Sequence, residues 1–120
     1  MHKISIIGIV YVGLELAKAF SLENNVIGFD INENKINYYN QIKNSNNKLE
    51  IKEKIGNSEM VFTSDEKEIM ESDFYIIAVP TPINEDKTPN INFVKIAFEV
   101  VGRNLSKNST FILESTVYQD

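Results

Sequence analysis

Short apolar stretches alternate with segments of helical spacing along the whole chain, and that alternation limits the fold more than any other feature. Residues 3–7 (Lys-Ile-Ser-Ile-Ile) are a short apolar run and read as a buried strand. Residues 12–21 put Leu16 and Phe20, and Gly13 and Ala17, at i,i+4 spacing with Glu15 and Lys18 outward, which predicts a helix. Residues 25–29 read as a second strand, and Asn32 as the cap of a helix running through Ile36, Tyr39, Ile42 and Lys43. A short extra turn is expected over 50–55 and a brief third strand over 60–63. Thr63-Ser64-Asp65-Glu66 has the pattern of a capping box and predicts a short helix to Glu71. Residues 74–79 form the most hydrophobic strand, and a loop over 80–90 holds all three prolines. Helical spacing returns over 91–105 through Ile91, Val94, Ala97, Phe98 and Val101, and 110–114 is the fifth strand.

Strands separated by helices require right-handed crossovers and hence a parallel sheet. The expected fold is α/β: one domain, a Rossmann-like doubly wound parallel sheet with strand order 3-2-1-4-5. A chain of 120 residues supports one such domain and should bury roughly two-thirds of the surface its unfolded form exposes. The formal net charge of -5 argues against nucleic acid, which is normally met by a basic stripe. The absence of cysteine excludes disulfides, thiolate chemistry and cysteine-based zinc sites in these residues. His2, the single histidine, reads as a solvated end residue, so no metal site is expected. No run reaches the length of a membrane span and no secretory signal is visible, which makes the cytoplasm the expected location. Asparagine is abundant, 15 of 120 residues, and five of them fall in 40–57, but Leu49, Ile51 and Ile55 keep an apolar rhythm there, so this stretch is not read as a linker.

The first strand runs into Gly8-Ile9-Val10-Tyr11-Val12-Gly13 and then into the first helix. Strand, glycine turn and helix are the setting of the dinucleotide fingerprint G-x-G-x-x-G. Gly8 permits the tight turn and Gly13 lets helix and strand approach. The middle glycine, which lets backbone reach a pyrophosphate, is Val10 here. Its β-branched side chain points into space the diphosphate would use, at an expected cost of ~1–3 kcal/mol in binding. The second half of the fingerprint is intact. Asp30 closes the second strand 22 residues after Gly8, where a carboxylate accepts both ribose hydroxyls and repels a 2′-phosphate, favouring NAD over NADP. The plainer reading of Asp30 is that it caps the next helix together with Asn32.

The segments "ISIIGIVYVGLELA", "VIGFDIN", "DFYIIAVPTPIN" and "ESTVY", in that order, closely resemble the amino-terminal domain of the UDP-glucose/GDP-mannose dehydrogenase family. The likeness runs through the whole chain. Its nearest branch is the UDP-N-acetylmannosamine or UDP-N-acetylglucosamine 6-dehydrogenases of bacterial polysaccharide synthesis. Val-Pro-Thr-Pro after the fourth strand and Glu-Ser-Thr-Val after the fifth are its most specific parts. The resemblance implies oxidation of the C6 alcohol of a nucleotide sugar to a carboxylate in two NAD-dependent steps, a cysteine taking up the aldehyde. For this chain it implies cofactor contacts only. Gly8, Val10, Tyr11, Val12 and Gly13 match the phosphate turn, and Asp30 the ribose acid. Lys35 matches a basic residue near the adenosine. Val79, Pro80 and Thr81 match the loop along the cofactor, and Glu114, Ser115 and Thr116 the segment beside the nicotinamide.

Departures from the family pattern are Val10 for glycine, Glu15 where proline is common, and Gln119-Asp120 where Pro-Gly usually follows. The family's catalytic lysine, asparagine and cysteine, its central helix and its UDP-binding domain lie further along than these residues. The chain is therefore expected to be the cofactor half of an active site. It would be inactive alone, meet a UDP-sugar only through the missing domain, and be either a piece of a larger enzyme or the product of a shortened gene. The competing readings are a degenerate, non-catalytic Rossmann module that self-associates through an exposed sheet edge, and part of a β-hydroxyacid or 6-phosphogluconate-type dehydrogenase.

Overall fold

In the computed structural model, which describes residues 2–9, 12–88, 90–105, 108–114 and 116–118, the elements follow the alternation of the sequence. For Val12, 80–82 and 116–118 it describes the backbone alone. β1 (Lys3–Ile7) leads to α1 (Val12–Phe20), β2 (Asn25–Phe29), α2 (Glu33–Asn44) and α3 (Lys48–Lys54). β3 (Val61–Thr63), a 3-10 turn (Glu66–Ile69) and β4 (Phe74–Ile77) follow. The chain then forms β5 (Pro80–Pro82), α4 (Asn92–Asn104), β6 (Thr110–Leu113) and β7 (Thr116–Tyr118).

The main sheet has the order β3-β2-β1-β4-β6, all parallel, which is the expected 3-2-1-4-5. In β1 and β2 alternate side chains enter opposite layers, as the period of a strand requires. Ile4, Ile6, Val26, Phe62 and Ile76 pack under α1–α3 with Ala17, Ile36, Ile42 and Ile55. Ile7, Ile27, Phe29, Tyr75 and Ile77 pack under α4 with Ala97, Val100, Val101 and with Ile69 of the 3-10 turn. Each Ile, Val or Phe among them, fully buried, contributes roughly 1.5–3 kcal/mol. Ser5 lies fully buried in β1 and is satisfied by the hydroxyl of Ser72, as a buried polar group must be.

Asn32 caps α2 as expected, its side chain accepting from the amides of Asn34 and Lys35. Elsewhere the structure corrects local expectations. The capping box does not form. Thr63 stays in β3, paired with Phe29, and its hydroxyl accepts from the Asp65 amide. Asp65 is the cap instead, and the expected helix is only a 3-10 turn. The extra turn near 50 is a full helix, α3, capped by Asn47. In α4 the buried stripe is Ala97, Val100 and Val101, while Ile91 and Phe98 are exposed. The proline loop contains β5, which pairs in parallel with β7 as a second, two-stranded sheet.

Candidate functional site

Where β1 gives way to α1, three backbone constraints meet. Gly8 has φ +92°, a region that side chains other than glycine rarely adopt. A Cβ there would also lie 2.7 Å from Val79 Cγ1 and 3.0 Å from the Val79 backbone. A Cβ on Gly13 would fall 1.8 Å from the carbonyl oxygen of Gly8, so only glycine lets α1 settle onto the end of β1. The Gly8 amide donates to the Phe29 carbonyl at 2.8 Å and carries the β1–β2 pairing into the turn. Glycine at these two positions lets β1, α1 and Val79 close up on one another, the joint that in this class of fold stands before the diphosphate of a dinucleotide.

Asp30 faces this turn across the β1–β2 seam. Its Oδ1 accepts from the Asn32 amide at 2.9 Å. Its Oδ2 accepts a longer bond, 3.4 Å, from the Ile9 amide. The carboxylate orders the entry to α2, the plainer of its two readings, and also faces the turn. The Tyr39 hydroxyl, from the second turn of α2, donates to the Ile9 carbonyl at 3.1 Å. Its ring stacks on Phe62 with centroids 5.1 Å apart. Burial raises the Tyr39 pKa, and the charge of Asp30 and then Tyr38 add to that, so the phenol is a neutral donor at neutral pH.

A cleft of about 350 Å³ opens beside the turn. Gly8, Asp30, Asn32 and Lys35 form its polar end. Its apolar walls are Ile7, Phe29, Ile31 and Val79 on the sheet side and Phe93, Ile96, Ala97 and Val100 from α4. It stands outside the carboxyl ends of β1 and β2, next to the point where the strand order reverses, which is where this class of fold binds ligands.

Of the residues nominated from sequence, Gly8, Asp30, Lys35 and Val79 line this one cleft, and Gly13 underlies the turn. Backbone pairing sets Pro80 beside Thr116 and Thr81 beside Val117. The two nominated loops thus run side by side on the same edge of the sheet. Glu114 is exposed at the end of β6, its amide donating to the Ile77 carbonyl at 2.8 Å, and is not part of the cleft lining. Val10, Tyr11 and Ser115 lie outside the described residues, as do the side chains of Val12, Pro80, Thr81 and Thr116. Sequence reasoning missed Phe93, Ile96 and the hydroxyl of Tyr39. The last was legible in part, because Tyr39 is four residues after Lys35 on α2 and so shares its face. Among the described residues no group of three His, Asp or Glu side chains is placed to hold a metal ion.

Comparison with known proteins agrees with this geometry. The family described as UDP-glucose/GDP-mannose dehydrogenase family, NAD binding domain, matches residues 2–120. Protein CapL of Staphylococcus aureus is 38% identical over 119 residues, covering 98% of this chain and 27% of the relative. UDP-N-acetyl-D-glucosamine 6-dehydrogenase of Salmonella typhi is 40% identical over 116 residues, covering 97% of this chain and 27% of the relative. Among solved structures, the NDP-N-acetyl-D-galactosaminuronic acid dehydrogenase of Methanosarcina mazei Go1 superposes with a TM-score of 0.80 at 27% identity. That match covers 97% of this chain and 28% of the other. The chain thus spans little more than a quarter of the length of the proteins it matches.

Proposed function

The chain belongs to the UDP-glucose/GDP-mannose dehydrogenase family, whose NAD-binding domain it carries, and from that premise we propose where NAD lies and what the chain does with it. The diphosphate rests on the turn from Gly8 to Gly13, at the amino end of α1. Asp30 takes the adenosine ribose hydroxyls, with Lys35 beside them. The base enters the apolar cleft between Ile31, Phe93 and Ile96. The nicotinamide end extends along Val79, Pro80 and Thr81 toward Glu114, Ser115 and Thr116. When bound, NAD supplies a hydride acceptor. The chain's own residues bind it, orient it and keep its base out of water.

The reaction served is oxidation of the C6 alcohol of a nucleotide sugar to a carboxylate, a reading supported by relatives named UDP-N-acetyl-D-glucosamine 6-dehydrogenase and UDP-N-acetyl-D-mannosamine dehydrogenase. With no cysteine among its 120 residues, the isolated chain binds cofactor without turning over. The observation that carries this reading is the meeting of Asp30 and the glycine turn across two adjacent parallel strands, Ile7 opposite Phe29. Calorimetric titration with NAD and NADP tests it. NAD should bind, and NADP at least ten times more weakly. No heat with either nucleotide sinks the binding claim.

One observation favours a second reading, a self-associating module. The edge strand β6 leaves Ile112 38% and Leu113 45% exposed, and an uncovered apolar edge invites pairing. Self-association in sedimentation, with no response to nucleotide, separates this reading from the first.

A further inference from the structure

Both backbone groups of Ile9 are held by side chains from across the β1–β2 seam. Its amide donates to Asp30 Oδ2 at 3.4 Å and its carbonyl accepts from the Tyr39 hydroxyl at 3.1 Å. Peptide units are planar, so fixing these two groups fixes the two planes that flank Ile9. The Ile9 side chain is itself fully buried in the layer under α1–α3, which removes the remaining freedom to rotate. Ile9 follows Gly8 directly, so these planes set the direction in which the turn leaves the strand.

We propose that Tyr39 is a positioning residue for the diphosphate of the nucleotide: its hydroxyl, together with Asp30, clamps the Ile9 peptides and so aims the glycine turn. This rests on the reading of the cleft as an NAD site and adds to it a residue that does not line the cleft. The clamp is well seated. The Tyr39 ring stacks on Phe62 of β3 with 24° between planes and meets Tyr38 edge-on at 5.5 Å. The hydroxyl's position is thus fixed independently of the bond it makes. A preset turn matters more here than in a chain with three glycines, because the fingerprint position after Ile9 is valine, whose backbone is less adaptable than that of glycine.

The test compares Tyr39→Phe with the unaltered chain, which keeps the ring and deletes only the donor. NAD, ADP and adenosine are titrated against both. The expected result is a loss of about three- to tenfold for NAD and ADP, the size of one net hydrogen bond, with adenosine unchanged within twofold. An equal loss for adenosine, or no loss, overturns the proposal and leaves the NAD reading standing. Failure of the unaltered chain to bind any of the three overturns both. A second measurement needs no ligand: the 15N shift of the amide in the peptide after Ile9 should move in Tyr39→Phe and stay in Tyr38→Phe. If it moves in neither, the clamp is refuted. Should Tyr39→Phe not fold, Phe62→Leu, which unseats the ring but keeps the hydroxyl, should show the same loss confined to NAD and ADP. Failure to show it refutes the clamp as well.

Discussion

Gly13 sits against Gly8 so closely that the smallest side chain would place an atom 1.8 Å from the Gly8 carbonyl oxygen. The obstacle is backbone, not the flexible end of a side chain, so the helix must move. Gly13→Ala should therefore destabilise the domain by about 3 kcal/mol or more and open the joint on which the turn is built. Gly102, inside α4, is the control: no atom lies within 4 Å of a Cβ built there. Gly102→Ala should stabilise by ~0.5–1 kcal/mol, the usual gain of removing a glycine from a helix interior. Thermal melts of both variants check the pair, and a Gly13→Ala melt equal to the parent's would refute the packing argument.

Acid sensitivity should centre on one ion pair. Two nitrogens of Arg103 meet the two carboxylate oxygens of Glu66 at 3.0 and 2.9 Å, and Asn104 adds a third donor at 3.3 Å. The Arg103 hydrogen bonds, followed by that of Asn104, lower the Glu66 pKa from 4.5 to about 2. A carboxylate depressed in the folded state binds fewer protons there than when unfolded. Its stabilisation is present above pH 4.5 and is lost as pH falls toward 2. Glu66→Gln should lower the melting temperature at neutral pH and reduce its fall between those two values. A variant whose melting temperature runs parallel to the parent's through that window would contradict the assignment.

Asp30 joins cofactor choice to local folding, and one substitution separates the two. In Asp30→Asn the side-chain oxygen can still accept from the Asn32 amide, so the entry to α2 should survive. The charge that repels a 2′-phosphate is gone. The NADP-to-NAD affinity ratio should rise about tenfold, the effect of roughly 1.4 kcal/mol of charge repulsion in a partly screened site. Parallel titrations measure the ratio, and a melting curve confirms the fold. An unchanged ratio would remove Asp30 from cofactor selection.

The bounds of β1 and β2 were legible because both strands are buried on two faces over their last four residues and read as short, largely apolar runs. Strand order followed from the alternation of strands and helices, which is that of a doubly wound sheet. What was not legible depends on contacts distant in sequence. β5 contains two prolines, which lack the donor a ladder needs, so its pairing with β7 was invisible in its own letters. Thr63 matched the capping pattern, but its place opposite Phe29 in the sheet took precedence over local propensity. The cleft was half legible. Asp30 and Lys35 carry charge in a recognisable register. Phe93 and Ile96 are ordinary apolar residues of a helix, and become a wall only because α4 lies against β1 and β4.

Val10 makes the strongest test of the site from sequence alone. The glycines on either side of it, Gly8 and Gly13, are both forced by close backbone contacts. The fingerprint position between them needs room for the diphosphate but carries a β-branched side chain. Val10→Gly should tighten NAD binding by ~1–3 kcal/mol, or roughly five- to 150-fold. ADP should gain in step with NAD and adenosine should not, because the middle position of the fingerprint is the one a diphosphate approaches. Calorimetry on the three ligands decides the matter. If adenosine gains as much as ADP, the turn has opened the whole cleft instead of clearing one atom-sized obstacle. If nothing gains, the diphosphate does not cross this turn.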